Sequence, residues 1–364
     1  MLLRGIHKPI ERMVFLSKET VGKKLLLSPL ALFSFFFKQV GNIRCYGYSH
    51  GLFPSRKLPL SVVSVGNLTV GGTGKTPMTV YLSAFFRKHG KRVAILSRGY
   101  KGSSSHAVNI VSDGRKICLS PAEAGDEPFL VAEKLPGVPV LTGKDRGLLG
   151  EYAREHFSTE VAVLDDGFQH LKLQRELDIV LLDGRNPLGN RYVLPRGTLR
   201  ESPKQLKRAQ LIVVTHPDET IGKEEIESLI RPYNQSAPVF LARYRPVALE
   251  ELKTREPVPL DYLKGEKVVA VAGLGRPESF ARLLAEIGAE VEETRWYPDH
   301  YRYRGNELAG ITDSSIIVTT EKDAVKLRNL PIPQRTILVL SVELKVDDET
   351  NFQETIRNCL PSWG

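Results

Sequence analysis

Leu60-Ser61-Val62-Val63-Ser64-Val65-Gly66-Asn67-Leu68-Thr69-Val70-Gly71-Gly72-Thr73-Gly74-Lys75-Thr76-Pro77 is the stretch from which the rest of the chain can be read. Residues 60–65 are a short apolar run of the kind that makes a buried strand. After Pro77, Met78, Tyr81, Leu82, Phe85 and Phe86 recur at helical spacing. A strand, a Gly-rich loop closing on Gly-Lys-Thr, and a helix are the context a P-loop requires. Glycines let backbone N–H groups turn toward phosphate oxygens, and the helix N-terminus adds partial positive charge. Thr69, Val70, Gly71, Gly72, Thr73, Gly74, Lys75 and Thr76 would then cradle a nucleotide, with Lys75 at the β- and γ-phosphates and the Thr76 hydroxyl on Mg²⁺. The strict pattern places Gly where this chain has Thr69, and Gly71 and Gly72 offset that loss. The competing reading is an ordinary strand-to-helix turn.

Working outward, Arg92–Leu96 reads as the next strand and ends in Ser97-Arg98-Gly99-Tyr100. Arg98 would either contact an anionic substrate or be a solvated arginine. Val161–Leu164 is a third strand, ending in Asp165-Asp166-Gly167-Phe168-Gln169-His170. Apolar residues followed by Asp form the Walker-B pattern, which brings a carboxylate to Mg²⁺. Adjacent aspartates point in different directions, so one of the two would approach the metal directly. Further strands are expected at 178–182 and 211–214, with the polar, Pro-bounded loop Leu194–Pro203 between them. Strands alternating with helices indicate a doubly wound, mostly parallel, P-loop NTPase-like α/β sheet. Glu123-Ala124-Gly125-Asp126-Glu127-Pro128 opens a helix, where Asp126 fits either an N-cap or a carboxylate that accepts a proton from an acceptor hydroxyl.

Three segments follow: an arm over 1–58, a kinase-like domain over 59–245, and a smaller α/β domain over 246–364 facing the second across a cleft. In the last, 250–267 reads as a charged linker and 268–272 as a strand. Gly273-Leu274-Gly275 is a turn leading into a helix that runs to about Ile287, because it lacks the third glycine of a dinucleotide site. Tyr297–Tyr303 is expected to be a surface loop and 316–320 a strand.

Composition narrows the function. Across 364 residues, 41% hydrophobic and 26% charged content is globular, and three scattered cysteines exclude a disulfide framework. Residues 1–60 carry ten basic side chains against Glu11 and Glu19, so nearly all of the net +9 lies in the arm and not on a nucleic-acid-binding face. Within the arm, Leu25–Phe37 is uncharged and flanked by Lys23, Lys24 and Lys38. It is shorter than the roughly 20 residues of a spanning helix. An interfacial patch on an anionic membrane, a core helix and a targeting segment all fit it.

Taken in order, Gly66–Pro77, Ser97-Arg98-Gly99-Tyr100, Gly125-Asp126-Glu127-Pro128, Asp165-Asp166-Gly167-Phe168-Gln169-His170, Leu199-Arg200-Glu201, Asp299-His300 and Thr320-Glu321-Lys322-Asp323 resemble the tetraacyldisaccharide 4′-kinase family of lipid A biosynthesis. The likeness covers nearly the whole chain, and Thr69 resembles that family's own P-loop variant. The resemblance implies ATP- and Mg²⁺-dependent phosphorylation of the 4′-hydroxyl of a tetraacylated glucosamine disaccharide 1-phosphate, at the cytoplasmic face of the bacterial inner membrane. It implies Asp126 as catalytic base with His300 as its partner, and Lys75 and Thr76 serving ATP and the metal. Asp165 and Asp166 would position metal or phosphate, with Glu127, Arg146 and Glu201 as further candidates near the nucleotide or the metal. The alternatives are a membrane-associated P-loop switch, for which Thr215-His216-Pro217-Asp218 poorly matches a guanine-reading Asn-Lys-x-Asp, and a non-catalytic interfacial scaffold.

Overall fold

The computed structural model describes residues 27–100, 102–217, 222–311, 316–331 and 335–360. In chain order its elements are α1 (Ser28–Ser49), β1 (Ser61–Asn67), α2 (Lys75–Lys88), β2 (Val93–Ser97), β3 (Asn109–Asp113), α3 (Pro121–Ala124), α4 (Asp126–Lys134), β4 (Pro139–Thr142), α5 (Arg146–Phe157), β5 (Val161–Asp165) and β6 (Leu177–Asp183). There follow β7 (Leu211–Thr215), α6 (Lys223–Ile230), β8 (Val239–Glu251), β9 (Pro257–Val258), β10 (Lys267–Ala272), α7 (Glu278–Glu286), β11 (Glu290–Trp296), β12 (Ile316–Thr320), α8 (Glu321–Leu327), β13 (Ile337–Val346) and α9 (Glu349–Asn358). The strands pair mostly in parallel, with β3 on β4 and β9 on β8 antiparallel, so the α/β class is the expected one.

Contacts divide the chain into two compact units that do not follow chain order. One comprises Met1–Thr73, Asp166–Ala242 and Asp347–Gly364, and the other Gly74–Asp165 and Arg243–Val346. This grouping by contact differs from the linear partition after residues 58 and 245.

In the first unit β1, β6, β7 and the start of β8 lie side by side, with Val65 opposite Ile179, Leu181 opposite Val213 and Val214 opposite Leu241. β1, β6 and β7 are buried along their whole length, which is why they are mostly apolar rather than alternating strands. Leu68, Phe168, Leu182, Leu199, Leu206 and Ile212 share one core. A Cβ on Gly66 would lie 2.4 Å from Cβ of Phe168, so only glycine lets the 167–170 loop close over β1.

In the second unit β2 lies between β4 and β5, and β10 lies between β11 and β12. α2 buries Met78, Leu82, Phe85 and Phe86, each contributing about 1.5–3 kcal/mol. Two expectations are corrected here. Residues 250–267 are ordered structure and not a linker: β8 runs to Glu251, β9 pairs back on it at Leu249 and Glu250, and a 3₁₀ turn follows at Leu260–Leu263. The segment Tyr297–Tyr303 is not a plain surface loop. Its three tyrosines pack ring on ring at 4.6, 5.4 and 5.2 Å, and Tyr303 is buried.

Leu25 and Leu26 of the arm's apolar stretch lie outside the described residues, and from Ser28 on the stretch falls on α1, begun by Pro29 in its first turn. Its Leu32, Phe33, Phe35, Phe36, Phe37, Val40 and Ile43 are exposed, against the core-helix alternative, whereas Ser34 and Cys45 are buried. Lys23 and Lys24 lie outside the described residues. No helix among the described residues is long and apolar enough to cross a membrane.

Candidate active site

The phosphate loop follows from its glycines. Gly71 and Gly74 have φ of +112° and +87°, conformations that a side chain would strain. Gly71 and Gly72 are exposed, and a Cβ on either would meet nothing within 4 Å, so the loop's outer face is open. Its entrance is pinned: Val70 N donates to Thr198 O at 2.8 Å, Arg200 N to Leu68 O at 2.7 Å, and Thr69 bridges to Leu199. Asn67 Nδ2 donates to Thr73 Oγ1 at 2.9 Å, tying the two ends of the loop together. Gly74 ends the loop, and Lys75 and Thr76 are the first two residues of α2. No side chain caps α2 and its first turn holds no acid, an N-terminus suited to an anion.

The paired aspartates diverge as their adjacency requires. Asp165 closes β5, is buried, and accepts from Thr79 Oγ1 at 3.3 Å, one turn along α2 from Thr76. Asp166 turns to φ +56° and takes Arg200 Nη1 at 2.8 Å on both its oxygens. Arg200, to which sequence reasoning gave no role, thus holds Asp166. Among the described residues no three His, Cys, Asp or Glu are grouped to hold a metal by themselves. Mg²⁺ commonly uses one or two carboxylates and completes its shell with substrate phosphates. Thr76 and Asp165 therefore fit an ion that arrives with a nucleotide.

Glu201 follows Arg200 in the chain. It is buried against Arg208 at 2.5 Å, and burial raises its pKa despite that guanidinium. Arg208 stacks 4.1 Å over the Phe168 ring and reaches Cys45 Sγ of α1 at 3.5 Å. Arg146 is buried at the start of α5 and donates to Lys144 O at 3.1 Å; Arg98 is exposed.

A charged cluster forms wholly within the second unit. Gly125 caps α4 at φ +91°, where a Cβ would strike Tyr100 O at 2.7 Å, so the cap is Gly125 and Asp126 is the first helical residue. That corrects the N-cap reading of Asp126. Free of capping, Asp126 Oδ2 lies 3.4 Å from His300 Nδ1 and 3.9 Å from Lys326 Nζ. Burial pushes its pKa up, but the hydrogen bond from His300 and the charges of Lys326 and Lys322 outweigh burial and hold it below the usual carboxylate range. His300 has φ +58°, a strained conformation for a non-glycine, and the Tyr100 ring meets it edge-on at 6.0 Å. Glu127 lies in this cluster, with Oε1 3.0 Å from Lys322 Nζ. Sequence reasoning named Asp126, Glu127 and His300 but gave no role to Asp299, Lys322, Asp323 or Lys326. The order Thr320-Glu321-Lys322-Asp323, a strand end opening a helix, was the available signal.

Such a set can hold an ionised carboxylate ready to accept a hydroxyl proton beside a ring nitrogen, and the loop's open backbone is suited to an anion. Comparison with known proteins bears on the pairing. A family model described as tetraacyldisaccharide-1-P 4′-kinase matches residues 25–361. The tetraacyldisaccharide 4′-kinase of Syntrophus aciditrophicus is 42% identical over 360 residues, covering 93% of this chain and 95% of that protein. The protein of the same name from Anaeromyxobacter dehalogenans strain 2CP-C is 44% identical over 308 residues, covering 82% and 81%. The crystal structure of LpxK from Aquifex aeolicus in complex with ATP superposes with a TM-score of 0.74 at 36% identity, covering 92% of this chain and 99% of that one. With that family's model matching residues 25–361 and a relative 42% identical over 360 residues, the protein belongs to the tetraacyldisaccharide-1-P 4′-kinase family.

Proposed function

We propose that this chain transfers the γ-phosphate of ATP to the 4′-hydroxyl of a tetraacylated glucosamine disaccharide 1-phosphate. Membership of the kinase family supports the reaction, and the Asp126–His300 contact of 3.4 Å supports its chemistry. Phosphoryl transfer asks mainly for positioning and neutralisation of charge. The loop at 69–76 and the N-terminus of α2 would hold the triphosphate, with Lys75 at its β- and γ-oxygens. Thr76 and Asp165 would hold Mg²⁺, which would supply positive charge to offset that of the phosphates. Asp166 would be oriented by Arg200. Asp126, ionised at neutral pH, would accept the sugar hydroxyl's proton while His300 orients it; a low-pKa carboxylate suffices where the attacking oxygen needs little activation. Glu127, Arg146 and Glu201 carry no direct step in this reading. Incubation of the full chain with γ-labelled ATP and the disaccharide lipid should place label on the lipid. Hydrolysis of nucleotide with no dependence on the lipid and a preference for GTP would support the switch alternative instead.

The lipid acceptor needs a meeting place, and α1 supplies one at a bacterial inner membrane's cytoplasmic face. This helix holds to the protein through polar groups as well as buried ones. Ser34 Oγ donates to Val193 O at 2.8 Å and accepts from Arg196 N at 2.9 Å, and Arg44 donates to Gln169 O at 3.0 Å, while Lys38 and Gln39 are exposed. Its aromatic residues face outward. An exposed apolar stripe of this size marks an interaction surface, and with basic residues nearby it suits an anionic lipid interface.

A further inference from the structure

His300 has two ring nitrogens, and its partners differ in kind. Nδ1 lies 3.4 Å from Asp126 Oδ2. Nε2 lies 3.4 Å from Lys322 Nζ. An ammonium group only donates, so in the Lys322 contact Nε2 must accept. A neutral imidazole that accepts at Nε2 carries its hydrogen on Nδ1, where it meets a carboxylate that only accepts. The three groups therefore form a chain with one direction: ammonium to imidazole to Asp126.

Lys322 is built into this position. Its Nζ donates to Glu127 Oε1 at 3.0 Å and to Asp299 Oδ1 at 2.9 Å, and its side chain is only 16% exposed. Glu127 neighbours Asp126 on α4, Asp299 neighbours His300, and Lys322 is the second residue of α8, so one ammonium ties together the three segments that carry the pair. Burial works against its charge, but Glu127 and Asp299 more than offset this and raise its pKa. The other charged groups near the pair keep their own anchors. Lys326 is held 3.0 Å from buried Asp323, which also accepts from Gly273 N and Thr320 Oγ1 at 2.8 Å each. Glu127 Oε1 and Asp299 Oδ2 lie 3.9 and 3.8 Å from Nε2, too far to replace the Lys322 contact as hydrogen bonds.

We propose that Lys322 is a positioning residue for the transfer reaction: by donating to Nε2 it fixes His300 as the Nδ1–H tautomer and aims that hydrogen at Asp126. The inference rests on the reading of Asp126 as proton acceptor, and the test separates the two. The full chain is labelled with ¹⁵N-histidine, and two-bond proton–nitrogen spectra are recorded at neutral pH for wild type, Lys322→Met and Lys322→Arg, with His300→Gln used to assign the signal. Wild type should show Nδ1–H at His300. Lys322→Met should move His300 toward Nε2–H, lower kcat by about 10- to 100-fold, as expected for a misaligned reacting group, and alter the pH profile of kcat. KM for ATP should stay within about threefold, and Lys322→Arg should recover part of the loss, because a guanidinium also only donates. An Nε2–H signal in wild type overturns the proposal. So does Lys322→Met with wild-type tautomer and wild-type pH profile. If Lys322→Met does not fold, the wild-type tautomer and Lys322→Arg decide. Full turnover by Asp126→Asn would instead remove the base reading and leave the tautomer result standing on its own.

Discussion

The loop at 69–76 and the cluster around Asp126 are assembled in contrasting ways. The loop is contiguous: Gly71 and Gly74 bend it, Asn67 and Thr73 cross-link it, and α2 starts where it ends. The cluster draws residues 126–127, 299–300 and 322–326 from three separate segments and holds them by charge. A local site can tolerate change elsewhere in the fold, whereas a charge-held site depends on each partner.

Substitutions can sharpen that contrast. The largest effect is expected at Asp126→Asn, with transfer falling about 10²- to 10⁴-fold, the range for a lost general base, while ATP binding by equilibrium dialysis is nearly unchanged. Equal loss of both would make Asp126 structural. Lys75→Met should behave in the opposite manner: transfer falls by about 10²- to 10³-fold, as for a lost charge-stabilising donor, and ATP binding weakens with it. Unimpaired ATP binding would detach Lys75 from the phosphates.

Stability comes next. Asp323 is fully buried and serves Gly273 N, Thr320 Oγ1 and Lys326. Asp323→Ala leaves a cation and an amide without their acceptor, and should cost about 3–5 kcal/mol in urea unfolding. A cost below about 1 kcal/mol, typical of a surface pair, would show the cluster to be loosely held. A smaller, pH-dependent effect follows from Asp126 itself. Its folded pKa is depressed, so its charge stabilises the fold above the unfolded value near 3.9, and that contribution is lost as pH falls through the folded value. The stability gap between wild type and Asp126→Asn should therefore narrow as pH is lowered from about 5 toward 3. A constant gap would contradict the depressed carboxyl. The smallest expected effect is at the exposed stripe of α1. Phe36→Ser should weaken partitioning onto anionic vesicles by about fivefold, a fraction of one phenylalanine's full burial, with fold stability unchanged. Unaltered partitioning would remove α1 from the membrane argument.

What was legible in the sequence follows the same division. β1, the glycine loop and α2 could be read because period, glycine positions and Gly-Lys-Thr all lie within thirty residues of each other. Asp126 could be read at its helix start as a cap or a proton acceptor, but its pairing with His300 was named only through resemblance, since a separation of 174 residues leaves no local trace of a hydrogen bond. Asp126 as an N-cap failed because Gly125, forced by the Tyr100 carbonyl, takes the cap first. Tyr297–Tyr303 read as surface because three tyrosines without helical or strand period look solvated; Tyr303 is in fact buried in a core with Val269, Val271 and Leu308, against which Tyr297 and Tyr301 pack. Glu201 read as a nucleotide candidate from its place in Leu199-Arg200-Glu201, whereas its carboxylate turns to Arg208.

The central claim is that Asp126 takes the proton of a lipid hydroxyl while the P-loop presents ATP. Single-turnover transfer of γ-labelled phosphate to the disaccharide lipid, run on wild type and Asp126→Asn with ATP saturating, tests it most directly. The account predicts rapid labelling of the lipid by wild type and almost none by the variant, with ATP bound equally by both. Labelling at the same rate by both proteins would contradict it.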